Sequence, residues 1–193
     1  MTRQVRTLDE AATNRYFALI DSVADTIDKC HDAKQKAALL LIRAVAYSDT
    51  QNNEAAIDDL TAVVQLDSTQ TLAYWQRAVC QARLNAFNAS QGTDISMKTA
   101  NVLSDLSEAI ENNPSAILYY NRGNVYVQRK DYLHAIEDYS KAIEMDSHLA
   151  EAYYNRGIAR LALKQQAQAV ADLSKAGELG LYAAYSIIKQ NRK

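Results

Sequence analysis

The sequence nearly repeats itself at a spacing of 34 residues, and this constrains the fold more than any other feature of the chain. Tyr119-Tyr120-Asn121-Arg122-Gly123 returns as Tyr153-Tyr154-Asn155-Arg156-Gly157. The same offset carries Ala135 to Ala169, Asp138 to Asp172, and Ser140-Lys141-Ala142 to Ser174-Lys175-Ala176. A match of this extent covers a helix-turn-helix length of chain, and such a period belongs to a stacked helical solenoid. One unit of that kind cannot bury its own apolar face and leans on its neighbours. The punctuation agrees, because 193 residues hold one Pro and five Gly against twelve Tyr, which suits helices with few breaks. At 48% hydrophobic and 23% charged residues the composition is ordinary for a globular chain and predicts one all-α domain over 1–193.

With each repeat numbered 1 to 34 so that Gly123 and Gly157 fall at 8, four repeats follow one another. The first, 37–70, places Leu40, Ala44, Tyr47, Ala56, Leu60 and Val63 at positions 4, 8, 11, 20, 24 and 27. The second, 71–115, has Tyr74 at 4 and Ala78 at 8, but Val102, Leu106 and Ala109 reach 20, 24 and 27 only if about twelve residues are inserted near 85–97. That insert is turn-rich around Gly92 and predicts an elongated loop with room for an extra helical turn. It is either a partner contact or a tolerated surface insertion. Repeats three and four occupy 116–149 and 150–180, and Pro114 falls in an inter-repeat turn where its missing N–H is tolerated. Residues 1–36 predict an N-terminal capping helix over Leu8 to Cys30, with Val23, Ile27 and Cys30 inward; 181–193 predict a C-terminal cap with Leu181, Tyr185 and Ile188 inward.

These spacings resemble the tetratricopeptide repeat (TPR), whose pattern has an aromatic at 4, Gly at 8, Tyr at 11, Ala at 20, an aromatic at 24, Ala at 27 and Pro at 32. The third repeat carries Tyr119, Gly123, Tyr126, Ala135, Tyr139 and Ala142 in those places. The resemblance implies a right-handed α-solenoid whose first helices line a concave groove through positions 2, 5, 9, 12 and 13. Position 5 reads Leu41, Trp75, Tyr120, Tyr154; position 9 reads Val45, Val79, Asn124, Ile158; position 12 reads Ser48, Ala82, Val127, Leu161. Aromatic and apolar anchors of this kind suit an apolar peptide or helical segment. The expected peptide-binding residues are Leu41, Trp75, Tyr120, Asn124, Tyr154, Asn155 and Ile158. Asn124 and Asn155 match two Asn of the family's clamp for acidic chaperone tails, but Tyr120 stands where that clamp has a Lys, so a chaperone tail is not expected.

A second regularity is the pairing of Arg43, Arg77, Arg122 and Arg156 at position 7 with Asp59, Asp105, Asp138 and Asp172 at position 23. Catalytic groups occur once in a chain, whereas framework groups recur with the repeat, so the expectation is Arg–Asp pairs at most of these steps.

Other chemistry is not signalled. His31, His134 and His148 are separated by repeat geometry, with no Ser/His/Asp, paired-carboxylate or H-E-x-x-H constellation beside them. Cys30 and Cys80 are isolated and predict small buried hydrophobes. No catalytic residue, cofactor or metal is expected. A net charge of −2 predicts no nucleic-acid partner, and no apolar run is long enough for membrane insertion. The N-terminus lacks the apolar core of a signal peptide, which makes cytoplasm the default, with a secreted or periplasmic location left open for a mature or truncated chain. The function expected is a non-catalytic interaction scaffold. The alternatives are an oligomerisation module, such as a homodimer, with a self-filled groove, and a subunit supporting an enzyme encoded elsewhere.

Overall fold

The computed structural model describes residues 9–90 and 96–191. Among the described residues there are ten helices and no strand: α1 (Glu10–Lys29), α2 (Ala33–Asp49), α3 (Asn53–Leu66), α4 (Thr71–Ser90), α5 (Ser96–Asn112), α6 (Ala116–Gln128), α7 (Tyr132–Met145), α8 (Ala150–Ala162), α9 (Gln166–Glu178) and α10 (Ala183–Gln190). Three of the repeats are packed helix pairs, α2/α3, α6/α7 and α8/α9, and α4 and α5 fall in the stretch of the second repeat. The chain divides into two compact units, Met1–Lys98 and Thr99–Lys193, with the boundary inside α5. In the first unit α1 packs on α2, α2 on α3 and α3 on α4; in the second, α6, α7, α8, α9 and α10 pack in succession. No helix among the described residues is long and apolar enough to cross a membrane.

The turn between the two helices of a repeat is built the same way three times. Position 15 takes a left-handed conformation, at Gln51 (φ 64°), Lys130 (φ 60°) and Lys164 (φ 60°). The N–H of the next residue then reaches back to position 11, Asn52 to Tyr47 O at 2.8 Å, Asp131 to Tyr126 O and Gln165 to Arg160 O at 2.9 Å. This is the Schellman closure, which satisfies carbonyls that the helix end would otherwise strand. In two of the three turns position 16 starts the second helix as a cap, Asn52 accepting from the Ala55 N–H and Asp131 from the His134 N–H. A lysine in the left-handed region carries a steric cost that glycine does not. Lys130→Gly and Lys164→Gly are each expected to raise stability by about 0.5–1 kcal/mol, read as a higher urea midpoint with unchanged m-value; a lower midpoint would refute the assignment of the turn.

The described part of the insert in the second repeat is helix. α6 stops at position 13, whereas α4 continues to position 20 at Ser90, and α5 begins three residues ahead of the position at which α7 begins. The elongated loop expected near 85–97 is therefore corrected: the added residues lengthen both helices, and only 91–95 lie outside the described residues. The reason is in the sequence, since between Asn85 and Ser90 there is no Gly or Pro to stop α4 before Gly92.

Both caps form where expected, with two corrections to their facing. Asp9 caps α1 through the Ala12 N–H at 2.7 Å, and Ile20, Val23 and Ile27 are buried. Cys30, expected inward with them, is the residue that ends α1 and is only half-buried, while Cys80 is fully buried. In α10 the inward pair is Ala184 and Ile188, and Tyr185 is 47% exposed. An i, i+4 pair fixes one inward ridge, and Tyr185, one residue on, is rotated off it by about 100°.

Candidate functional site

The repeat register translates into contacts. Leu40, Ala44, Ala56, Leu60 and Val63 build the core of the first unit with Val23 and Ile27. In the second, Gly123 is pressed by the Tyr139 ring and Gly157 by Leu173, both so closely that an added Cβ would meet ring or branch carbons under 3.0 Å away. Position 8 must be small because position 24 lies on it.

The recurring charges are framework. Arg43 grips Asp59 through Nε and Nη2, both at 2.7 Å. Arg122 does the same to Asp138, both at 2.8 Å, and Arg156 to Asp172 at 2.9 and 2.7 Å. The expected pairs at Arg43, Arg122 and Arg156 are thus two-point ion pairs on buried aspartates. The hydrogen bonds to Asp59 and Asp138 push the Arg43 and Arg122 guanidiniums above their already high ordinary value, against burial, which works the other way. The third nitrogen reaches the preceding repeat: Arg77 Nη1 donates to Thr61 Oγ1 at 3.2 Å, Arg122 to Ser107 Oγ at 3.0 Å and Arg156 to Ser140 Oγ at 2.9 Å. Arg77, Arg122 and Arg156 also lie over the Tyr at position 4 of their own repeats, 5.6 to 5.7 Å from the ring centre. Sequence reasoning missed the hydroxyl partner, although a Ser or Thr recurs at position 25 in Thr61, Ser107, Ser140 and Ser174.

Position 11 of the fourth repeat departs from this scheme. Arg160 replaces the tyrosine and donates to Asp172 at 2.6 Å, so two guanidiniums share one carboxylate, and Arg160 Nε is buried without a partner.

All seven expected ligand residues are half-buried. In the second unit five of them divide into two groups. Asn124 Oδ1 accepts from Tyr139 Oη and from Asn155 Nδ2, both at 2.8 Å, and Asn155 Nδ2 also reaches Tyr120 Oη at 3.3 Å. Tyr120 leans on Tyr139 at 6.0 Å between ring centres. One buried tyrosine therefore orients two asparagines and a second tyrosine, and burial, with Tyr120 adding, pushes the Tyr139 phenol well above its ordinary range. The second group is Tyr154 and Ile158, which pack against the cluster of Leu173, Ala176, Ala184 and Ile188 that α9 and α10 build. Part of their surface is thus spent within the chain.

In the first unit Leu41 leans on the core cluster in the same way, and Trp75 has its Nε1 buried without an acceptor. Ser48, expected on the groove at position 12, is only 1% exposed. Its hydroxyl accepts from Gln76 Nε2 at 3.2 Å and Arg83 Nη1 at 3.0 Å, so it ties α2 to α4. Beside it the Cys80 thiol is pushed up by burial. Among the described residues no group of three or more His, Cys, Asp or Glu is placed to hold a metal ion.

Comparison with known proteins agrees with this architecture. A family model described as TPR repeat matches residues 123–164. The human "Tetratricopeptide repeat protein 13" is 30% identical over 111 residues, which is 55% of this chain and 12% of that protein, so the chain spans a small part of its relative's length. Among solved structures, MamA superposes with a TM-score of 0.76 at 23% identity, covering 93% of this chain and 99% of that one. YrrB, described as "a TPR protein with an unusual peptide-binding site", has a TM-score of 0.68 at 16% identity over 90% and 87% of the two chains. Helix pairs at a 34-residue period and small-on-large packing of positions 8 and 24 agree with the family match, so residues 123–164 carry a tetratricopeptide repeat, and the described helices have the fold of the solved tetratricopeptide repeat structures.

Proposed function

We propose that the chain is a non-catalytic interaction scaffold that binds a peptide or helical segment of another protein on the face formed by its first helices. The observation that carries this is the Tyr120–Asn124–Asn155 set. Asn124 Nδ2 and Asn155 Oδ1 make no hydrogen bond among the described residues, while Tyr139 and Tyr120 fix both amides in place. A held donor and acceptor beside an aromatic ring match a main-chain amide next to an apolar side chain, and pre-organisation lowers the entropy lost on binding. Trp75 offers the corresponding aromatic in the first unit, and the described helices of both units fit the fold of MamA and YrrB.

The reading is tested by capturing partners from the source lysate on wild type and on a Trp75→Ala/Tyr120→Ala double variant that still melts cooperatively. Loss of an aromatic anchor typically costs about 2 kcal/mol or more, roughly thirtyfold in affinity, so the captured partner should be lost on the variant. Retention at wild-type level overturns the aromatic face as the binding site.

The oligomerisation alternative has one observation in its favour, the packing of Tyr154 and Ile158 against the α9–α10 cluster. A concentration-dependent dimer abolished by Tyr120→Ala would decide for it.

A further inference from the structure

Arg83 is a guanidinium held in place by neutral partners. Its Nη1 donates to the hydroxyl of Ser48 at 3.0 Å and to the Ser48 carbonyl at 3.4 Å. Gln76 supports the same hydroxyl. Arg43, Arg122 and Arg156 each close their Nε–Nη2 edge on an aspartate. The same edge of Arg83 makes no hydrogen bond or ion pair among the described residues, and the residue is exposed. Asp49, next to Ser48, is bound by Tyr16 Oη at 2.8 Å instead. A cation fixed at one nitrogen, with its two-point edge open, has already lost much of the side-chain freedom that binding an anion would cost it.

Its position says what the anion belongs to. Trp75, Val79 and Arg83 follow at four-residue steps along α4 and share one ridge of that helix. Trp75 and Arg83 are therefore about 12 Å apart along the axis at 1.5 Å per residue. In an extended strand that distance is about four residues. We propose that the Nε–Nη2 edge of Arg83 binds the Asp or Glu side chain of a partner peptide whose bulky apolar residue, about four positions away, sits against Trp75. This rests on the first-helix face being a peptide site. It differs from the family's clamp for acidic tails in the residue, the helix position and the single carboxylate required.

The test uses the full chain and a displayed library of random ten-residue peptides, selected separately on wild type, Arg83→Gln and Arg83→Glu. Wild type should enrich an acid three to five residues from a bulky apolar residue, and Arg83→Glu should enrich Lys or Arg at that place. The best wild-type peptide, remade with Gln for its acid, should bind wild type about tenfold or more weakly, as expected for a charge-assisted two-point contact. On Arg83→Gln the two peptides should bind alike. Arg83→Lys, which keeps the charge and loses the edge, should show an intermediate discrimination, and it replaces Arg83→Gln if that variant melts early. Peptides enriched for apolar residues without an acid at that spacing overturn the proposal and leave the aromatic face standing. An acid preference undiminished on the charge-neutral variant overturns it as well. If no peptide is enriched, the peptide-site reading falls and this assignment falls with it.

Discussion

Asp172→Ala is expected to cost on the order of 3–5 kcal/mol, more than the equivalent change at Asp59 or Asp138. The Asp172 side chain is 5% exposed and takes three hydrogen bonds, two from Arg156 and one from Arg160. Its loss strands two guanidiniums that are 14% and 18% exposed, where Asp59 and Asp138 each hold one. Breaking a buried pair is expensive because the desolvated charge remains, whatever the net worth of the intact pair. Against a typical total of about 5–15 kcal/mol for a domain, this removes much of the stability of the last repeat. Urea denaturation of the three Asp→Ala variants checks the order. A second variant tests the cause: in the Asp172→Ala background, Arg160→Tyr restores the residue that position 11 has in Tyr47 and Tyr126 and removes one stranded cation, so it should recover part of the loss. An Asp172→Ala protein no less stable than Asp138→Ala would show that the shared carboxylate does not hold this repeat together.

Gly123→Leu should lower stability by about 1–3 kcal/mol or more through overpacking, and should weaken binding at the Asn124–Asn155 pair as well. A Cβ at Gly123 meets Tyr139 Cε1 at 2.7 Å and Cδ1 at 2.9 Å. That ring is 1% exposed and tethered by its hydroxyl to Asn124, so it cannot turn away without releasing the amide that orients Asn155. Gly177 supplies the contrast. A Cβ there meets the Tyr185 ring, but Tyr185 is 47% exposed and can swing into solvent, so Gly177→Ala should be close to neutral. Equal urea midpoints for Gly123→Leu and wild type would count against the packing of position 8 on position 24.

Much of the framework was legible because it recurs. The core positions could be counted from Gly123 and Gly157, and the buried Ala44, Ala56, Leu60, Ala135, Ala142 and Ala169 fall on them. The Arg–Asp pairs at Asp59, Asp138 and Asp172 were readable for the same reason, since a charge kept at one position of the repeat meets the same neighbour in each of these. The hydroxyl partners at position 25 recur as well and were readable in principle. The candidate site was legible only as a row of residues. Position 5 could be aligned as Leu41, Trp75, Tyr120 and Tyr154, but whether each side chain faces solvent or leans on a neighbouring helix depends on what packs beside it.

The sequence by itself determined the helix pairs, their register and the repeating ion pairs, because a 34-residue period presents the same short-range geometry to each unit. Only the tertiary structure decided the features that occur once. Ser48 is buried because Gln76 and Arg83 reach across from α4 to its hydroxyl. Asn124 and Asn155, 31 residues apart, meet because two first helices lie side by side over Tyr139. α4 runs on to Ser90 because no breaker precedes Gly92, and the weak turn propensity of Asn and Ser yields to continued backbone hydrogen bonding. A period fixes what is repeated; a site made from the exceptions depends on contacts between residues far apart in the chain, and those are set only when the helices pack.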